Sequence, residues 1–165
     1  MESDILEQLY RKYYSAALLY CITLCGSREL AEDITADAFV KAYLSLPNAT
    51  PSFQYWLLRV CKNLWLDHLR KHKRLFSEGA MVNLPDPNTP ETLYLASERQ
   101  RCLWDAIGTL SPQDRELVTL HYFSGLPLNE AAQLLGKSYA ATRQRMVRLR
   151  AELKQRMEEQ GYGRS

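Results

Sequence analysis

The stretch Pro127-Leu128-Asn129-Glu130-Ala131-Ala132-Gln133-Leu134-Leu135-Gly136-Lys137-Ser138-Tyr139-Ala140-Ala141-Thr142-Arg143-Gln144-Arg145-Met146-Val147-Arg148-Leu149 decides how this chain is read. Pro127 opens a short amphipathic segment with Leu128, Ala131, Ala132 and Leu135 on one face. Gly136 breaks it, since a residue without Cβ enters the left-handed turn that ends a helix at little cost. Ser138 caps a second, basic helix that continues to about Glu158. Short helix, glycine turn, capped basic helix is a helix-turn-helix layout. At about 100° per residue, Thr142, Met146, Leu149 and Leu153 point one way and Gln144 and Arg148 nearly opposite. Ala140 and Ala141 lie near the outward face, with Arg143 and Arg145 on its flanks. Small residues allow close approach to a major groove, and Gln and Arg pair bidentately with adenine and guanine edges. The expected base readers are therefore Gln144 and Arg148. Lys137, Ser138, Arg143 and Arg145 are expected mostly on the backbone.

Upstream, Ser111-Pro112-Gln113-Asp114 is a helix start, with a capping Ser, Pro at the first position and an acid at the third. That helix runs to about Phe123, and another covers 98–109. From 75 to 97 the periodicity fails, among Gly79, Pro85, Pro87 and Pro90. Some 20 residues without an element are unusual inside one compact domain, so this stretch reads as a linker. Before it, residues 4–25, 28–46 and 52–73 show helical periodicity, separated by Gly26-Ser27 and by Pro47-Asn48-Ala49-Thr50-Pro51. The expected fold is all-α: a helical domain over 1–74, a flexible linker over 75–97, and a helix-turn-helix domain over 98–165.

The totals hide the chemistry. The chain has 165 residues, 46% hydrophobic and 24% charged, with a net charge of +2. Six cations fall in 59–74 against one acid, Asp67, and six more in 143–156 against one acid, Glu152. Two basic stripes in a balanced chain point to a polyanion met at two places. On the helix over 52–73, Leu57, Val60, Cys61, Leu64 and His68 face inward, while Arg59, Lys62, Asn63, Leu66, Arg70 and Lys73 face outward. Trp56 and Trp65 flank this stripe. Aromatics beside a basic groove suit stacking on unpaired bases, although tryptophans are more often core anchors.

Other classes find little support. No apolar run approaches the ~20 residues of a membrane span. The acidic start Met1-Glu2-Ser3-Asp4 does not read as a signal peptide. Cys21, Cys25, Cys61 and Cys102 form no CxxC pair and read as reduced core residues of a cytoplasmic protein. His68 and His72 have ligand spacing, but Leu69 occupies the place of the metalloprotease Glu. No catalytic triad, clustered carboxylates or phosphate-cradling loop is present, so neither an enzyme nor a cofactor is expected. A self-sufficient helix-turn-helix regulator would need neither the second basic face nor the acidic surface at 32–37.

Three segments in order are identified with one family. Ala31-Glu32-Asp33-Ile34-Thr35-Ala36-Asp37-Ala38-Phe39-Val40-Lys41-Ala42 resembles region 2.2 of the sigma-70 family, and Trp56 to Arg70 resembles regions 2.3–2.4. Leu110-Ser111-Pro112 through Gly136 resembles region 4. Two domains and a short linker are similar to the extracytoplasmic-function (group IV) sigma factors. The resemblance implies that Glu32, Asp33, Ile34, Asp37, Phe39 and Val40 meet the clamp helices of the RNA polymerase β′ subunit. It implies that Arg59, Lys62, Asn63, Arg70 and Lys73 hold the single-stranded −10 element, with Asn63 against a flipped base. The helix-turn-helix would read the duplex −35 element, and Leu117, Leu120, Tyr122 and Phe123 would meet the β flap, several of them also serving the core. The linker would thread toward the active centre, and an anti-sigma factor would be a partner. Departures from the family pattern are Ala36 in place of Gln, a short 47–52 loop without its aromatic, and Ala141-Thr142 in place of Thr-Val.

Overall fold

A computed structural model describes residues 2–45, 52–72 and 84–161, with the side chains of Glu2 and Ser3 left aside. All regular elements among the described residues are helical. They are α1 (Glu2–Cys25), α2 (Arg28–Ser45), α3 (Phe53–Lys71), α4 (Glu98–Ile107), α5 (Pro112–Val118), a π-helical turn (Thr119–Phe123), α6 (Leu128–Leu135) and α7 (Tyr139–Glu159). No helix among them is long and apolar enough to cross a membrane.

Local chemistry sets the ends. Gly26, at φ +73°, closes α1 with a bond from its N–H to the Ile22 carbonyl (2.8 Å). Ser52, Ser111 and Ser138 accept from the backbone N–H three residues on, capping α3, α5 and α7. Ser97 and Gln100 form a reciprocal capping box at α4. Gly136, at φ +70°, ends α6, and the following Lys137 N–H reaches back to the Ala132 carbonyl (3.0 Å).

One departure from simple periodicity lies between α5 and α6. The expected helix from Pro112 to Phe123 widens after Val118. There the Ser124 N–H bonds to the Thr119 carbonyl (3.1 Å), and the Leu126 N–H to the Leu120 carbonyl (3.0 Å). The extra residue per turn is a π-bulge, a form that often marks functional positions.

The first three helices bury Leu18, Tyr20, Ile22, Leu57, Leu58 and Cys61. The second half buries Trp104, Ile107, Leu117, Leu120, Leu126 and Met146. These side chains join one continuous core, because α1 packs on α5 and the π-turn as well as on α2 and α3, and α3 meets α6. Polar bonds cross the same seam: the Tyr20 hydroxyl donates to Glu116 Oε2 (2.6 Å), and the Gln54 amide donates to the Ser124 carbonyl.

Residues 84–97 lie along both halves. Asn88 clasps Leu95 through its side chain, accepting from the Leu95 N–H (2.8 Å) and donating to the Leu95 carbonyl (3.0 Å). Leu95 and Pro87 are buried, and the Trp104 indole N–H donates to the Pro85 carbonyl (3.2 Å). Tyr94 stands 6.3 Å from the Tyr14 ring, and Asp86 pairs with Arg101 (3.0 Å). Absence of periodicity at 84–97 therefore marks irregular backbone, but a backbone with specific partners.

The cysteines are free thiols. Burial pushes Cys25 up to about 11, and the hydrogen bond with Cys21 together with burial raises Cys61 well above the ordinary thiol range.

Candidate nucleic-acid interface

On α7 the face arithmetic matches the observed burial. Thr142, Met146, Leu149 and Leu153 are buried. Lys137, Ser138, Ala140, Ala141, Arg143, Gln144 and Arg148 are exposed. Arg145 differs: it is partly buried, and its guanidinium sits 2.7 Å from the Asp114 carboxylate and 3.4 Å from the Gln113 amide oxygen. Its charge is committed within the domain, so it braces α7 against α5 in place of standing free for a phosphate. Tyr139, half exposed at the first turn of α7, joins the outward surface and carried no sequence signal, since it lies beside the small residues and outside the charge pattern.

On α3, Arg59, Asn63, Leu66 and Arg70 are exposed as expected. The Arg59 guanidinium lies over the Trp56 ring (5.6 Å), which orients it without removing its charge. Arg70 and Lys71 flank Asp67 and hold its carboxyl below the ordinary range, with the Arg70 hydrogen bond foremost. Lys62 is the exception on this face. Its ammonium pairs with Glu116 of α5 (2.8 Å) and is only 22% exposed. Lys73 lies outside the described residues, as do Asn48, Ala49 and Thr50. Trp65 is buried and Trp56 half-buried. Trp65, His68 and His72 stack in succession along the end of α3, at 5.8 Å and 4.3 Å. No cluster of three potential metal ligands occurs among the described residues.

On α2, Glu32, Asp33, Asp37 and Val40 are exposed, and Glu32 and Asp37 make helical pairs with Arg28 and Lys41 (3.5 Å each). Ile34 and Phe39 are corrected by the structure. They are only 6% and 2% exposed, and Phe39 packs among Tyr10, Tyr14 and Phe53. Spacing explains it: Ala31, Ile34, Thr35, Ala38, Phe39 and Ala42 recur at three and four residues and form the inward stripe of α2.

Several concavities mark the surface of the described residues. One of about 560 Å³ lies between the halves, where Lys62 and Glu116 meet Lys137, Gln144, Arg145 and Arg148. A crevice of about 600 Å³ between α2 and α3 is lined by Leu44, Val60, Asn63, Leu64 and Arg70. A groove of about 760 Å³ on the second half is lined by Leu103, Tyr122, Phe123, Leu153 and Met157, with Arg99 and Arg150 at its edge. Arg150 also donates to the Tyr122 hydroxyl (3.1 Å). Of the four residues expected toward the β flap, Leu117 and Leu120 are the ones that serve the core, where both are buried.

Residues 9–75 match the sigma-70 region 2 family, and residues 100–153 match the sigma-70 region 4 family. The chain is similar to the ECF RNA polymerase sigma factor BldN of Streptomyces coelicolor, with 32% identity over 85% of this chain and 55% of that one. It is similar to the ECF RNA polymerase sigma factor SigE of Mycolicibacterium smegmatis, with 31% identity over 90% of this chain and 60% of that one. The chain thus spans somewhat over half the length of these relatives. In fold it is similar to the sigma factor RpoE from Bartonella quintana, solved with the anti-sigma factor NepR. There the TM-score is 0.68, with 22% identity over 92% of this chain and 96% of that one. The chain belongs to the sigma-70 family, whose regions 2 and 4 it carries in order, and the two relatives above are sigma factors of the extracytoplasmic-function type.

Proposed function

We propose that this chain is a dissociable promoter-specificity subunit of RNA polymerase, without catalytic activity of its own, acting in the cytoplasm where the polymerase works. The observation that carries the reading is the pair of outward basic faces on α3 and α7, set on the two matched family regions. Gln144 and Arg148 read base edges of the −35 duplex, with Lys137, Ser138 and Arg143 on its phosphates. Arg145 holds the recognition helix in place through Asp114. Arg59, Lys62, Asn63, Arg70 and Lys73 hold the opened −10 strand. The crevice beside Asn63 has room for an extruded base, whose unstacking costs a few kcal/mol that apolar walls such as Leu44 and Val60 offset.

Core polymerase is met at two places. Glu32, Asp33, Asp37 and Val40 offer an acidic and partly apolar surface to the β′ clamp helices. The groove at Tyr122 and Phe123 accepts the β flap. An anti-sigma factor is a further partner, supported by the similarity in fold to a sigma factor solved with one. Run-off transcription on genomic fragments with core enzyme tests the proposal. The expected result is initiation at specific two-element promoters with core, and poor binding to the same duplex without it. Tight, specific operator binding by the chain alone would overturn it.

A further inference from the structure

The two DNA-facing helices are turned toward each other. Lys62 of α3 and Gln144 and Arg148 of α7 line the same cavity. Arg59 and Asn63 share a second one with Gln133 and Gly136 of the helix-turn-helix. Promoter elements centred at −10 and −35 lie about 25 base pairs apart, or about 85 Å along the duplex at ~3.4 Å per base pair. Side chains lining one cavity cannot reach both. The arrangement described here is therefore a closed one, and promoter engagement requires the halves to part.

At the seam stands one acid among cations. Glu116 is 12% exposed, and its Oε2 takes both the Tyr20 hydroxyl (2.6 Å) and the Lys62 ammonium (2.8 Å). Tyr20 is fully buried, and the three residues come from α5, α1 and α3. We propose that Glu116 is an intramolecular latch: its carboxylate takes the place of a DNA phosphate on Lys62 and keeps the two reading faces occluded until polymerase or DNA draws them apart. The apolar contacts of α1 with α5 and the π-turn supply area. The latch supplies the charge term, which is strong because the pair is little exposed and weakly screened. Taking away the carboxylate leaves the Lys62 ammonium part-buried without its counter-charge, which penalises the closed form alone.

The latch rests on the assignment of Lys62 to the −10 strand only for its effect on DNA, so the test reads closure and DNA binding separately. In the full chain with Cys25→Ser and Cys102→Ser, spin labels are placed through Glu29→Cys on α2 and Lys154→Cys on α7, both exposed sites. Distances between them are measured without core enzyme, alongside affinity for a single-stranded oligonucleotide of non-template −10 sequence. Glu116→Gln keeps the shape and removes the charge. It is expected to add a long-distance population and to raise oligonucleotide affinity about tenfold, the scale of one charge-assisted bond. Tyr20→Phe, which leaves the Lys62 pair intact, should give a smaller change in the same direction. A distance distribution unchanged in both variants overturns the latch. Higher affinity at unchanged distance overturns it too, since that reports only the loss of a repelling charge near DNA. Opening without any gain in affinity overturns the phosphate role of Lys62 and so the masking function.

Discussion

The Arg145 guanidinium stands 2.7 Å from the Asp114 carboxylate, tying the second turn of α7 to the first turn of α5. A cation on the flank of the outward face of α7 is thereby a brace for the helix. Asp114→Ala is expected to lower the stability of the second half by about 1 kcal/mol, the scale of a partly exposed charge-assisted bond. It should also weaken promoter binding to a similar degree across −35 sequences. Thermal unfolding and competition among −35 variants measure the two effects, and a change in sequence ranking would contradict the bracing role.

Arg148 stands exposed beside Gln144, with no share in that brace. Arg148→Ala should change the preferred −35 sequence, at a cost of roughly 1–3 kcal/mol for a lost bidentate contact. Selection of initiating sequences from a randomised −35 library with core enzyme checks this. An unchanged preference would move Arg148 to the backbone.

Asp33 is exposed on α2, away from the inward stripe. Asp33→Arg should leave helix content and the melting temperature nearly unchanged while weakening competition for core enzyme. Undiminished competition would remove Asp33 from the clamp surface.

Gly136 sits at φ +70° with open space where a Cβ would project. The cost of Gly136→Ala is therefore backbone strain without a clash, about 1–2 kcal/mol. Denaturant unfolding of wild type and variant measures it, and a neutral result would mean that the turn relaxes out of the left-handed region.

Asp86 titrates below the ordinary carboxylate range, first because the Asn88 N–H donates to it and then through Arg101. A depressed folded-state value contributes stability that is present above the unfolded value, ~3.9, and is lost as pH falls through the folded one. The difference in melting temperature between wild type and Asp86→Asn should thus be steady at neutral pH and close below about pH 4. A difference that persists at lower pH would contradict this role.

Much of the fold was legible because its signals are local. Seryl caps at 52, 111 and 138, the glycines at 26 and 136, and the periodicity between them place the helices within a residue or two of where they stand. The burial of Thr142, Met146, Leu149 and Leu153 follows from angular spacing alone. Likeness of segment alone places Ile34 and Phe39 on the partner-facing surface. The same angular reasoning, applied to α2, turns them inward. What no spacing could carry is the pairing of Tyr20 with Glu116, 96 residues apart, or the diversion of Lys62 to Glu116. Both depend on how two halves meet, a property of surfaces that only the assembled chain possesses. The Asn88 clasp was hidden for a related reason, since one side-chain amide can satisfy a backbone that has no periodic pattern to read.

The hydrogen bond from Trp104 to Pro85 has an optical corollary. The indole is only 2% exposed while the 84–97 segment covers it. Drawing that segment away would wet the ring, and its emission would move to the red. With Trp56 and Trp65, the other two tryptophans, replaced by Phe, displacement of the segment can thus be followed in real time through the Trp104 emission.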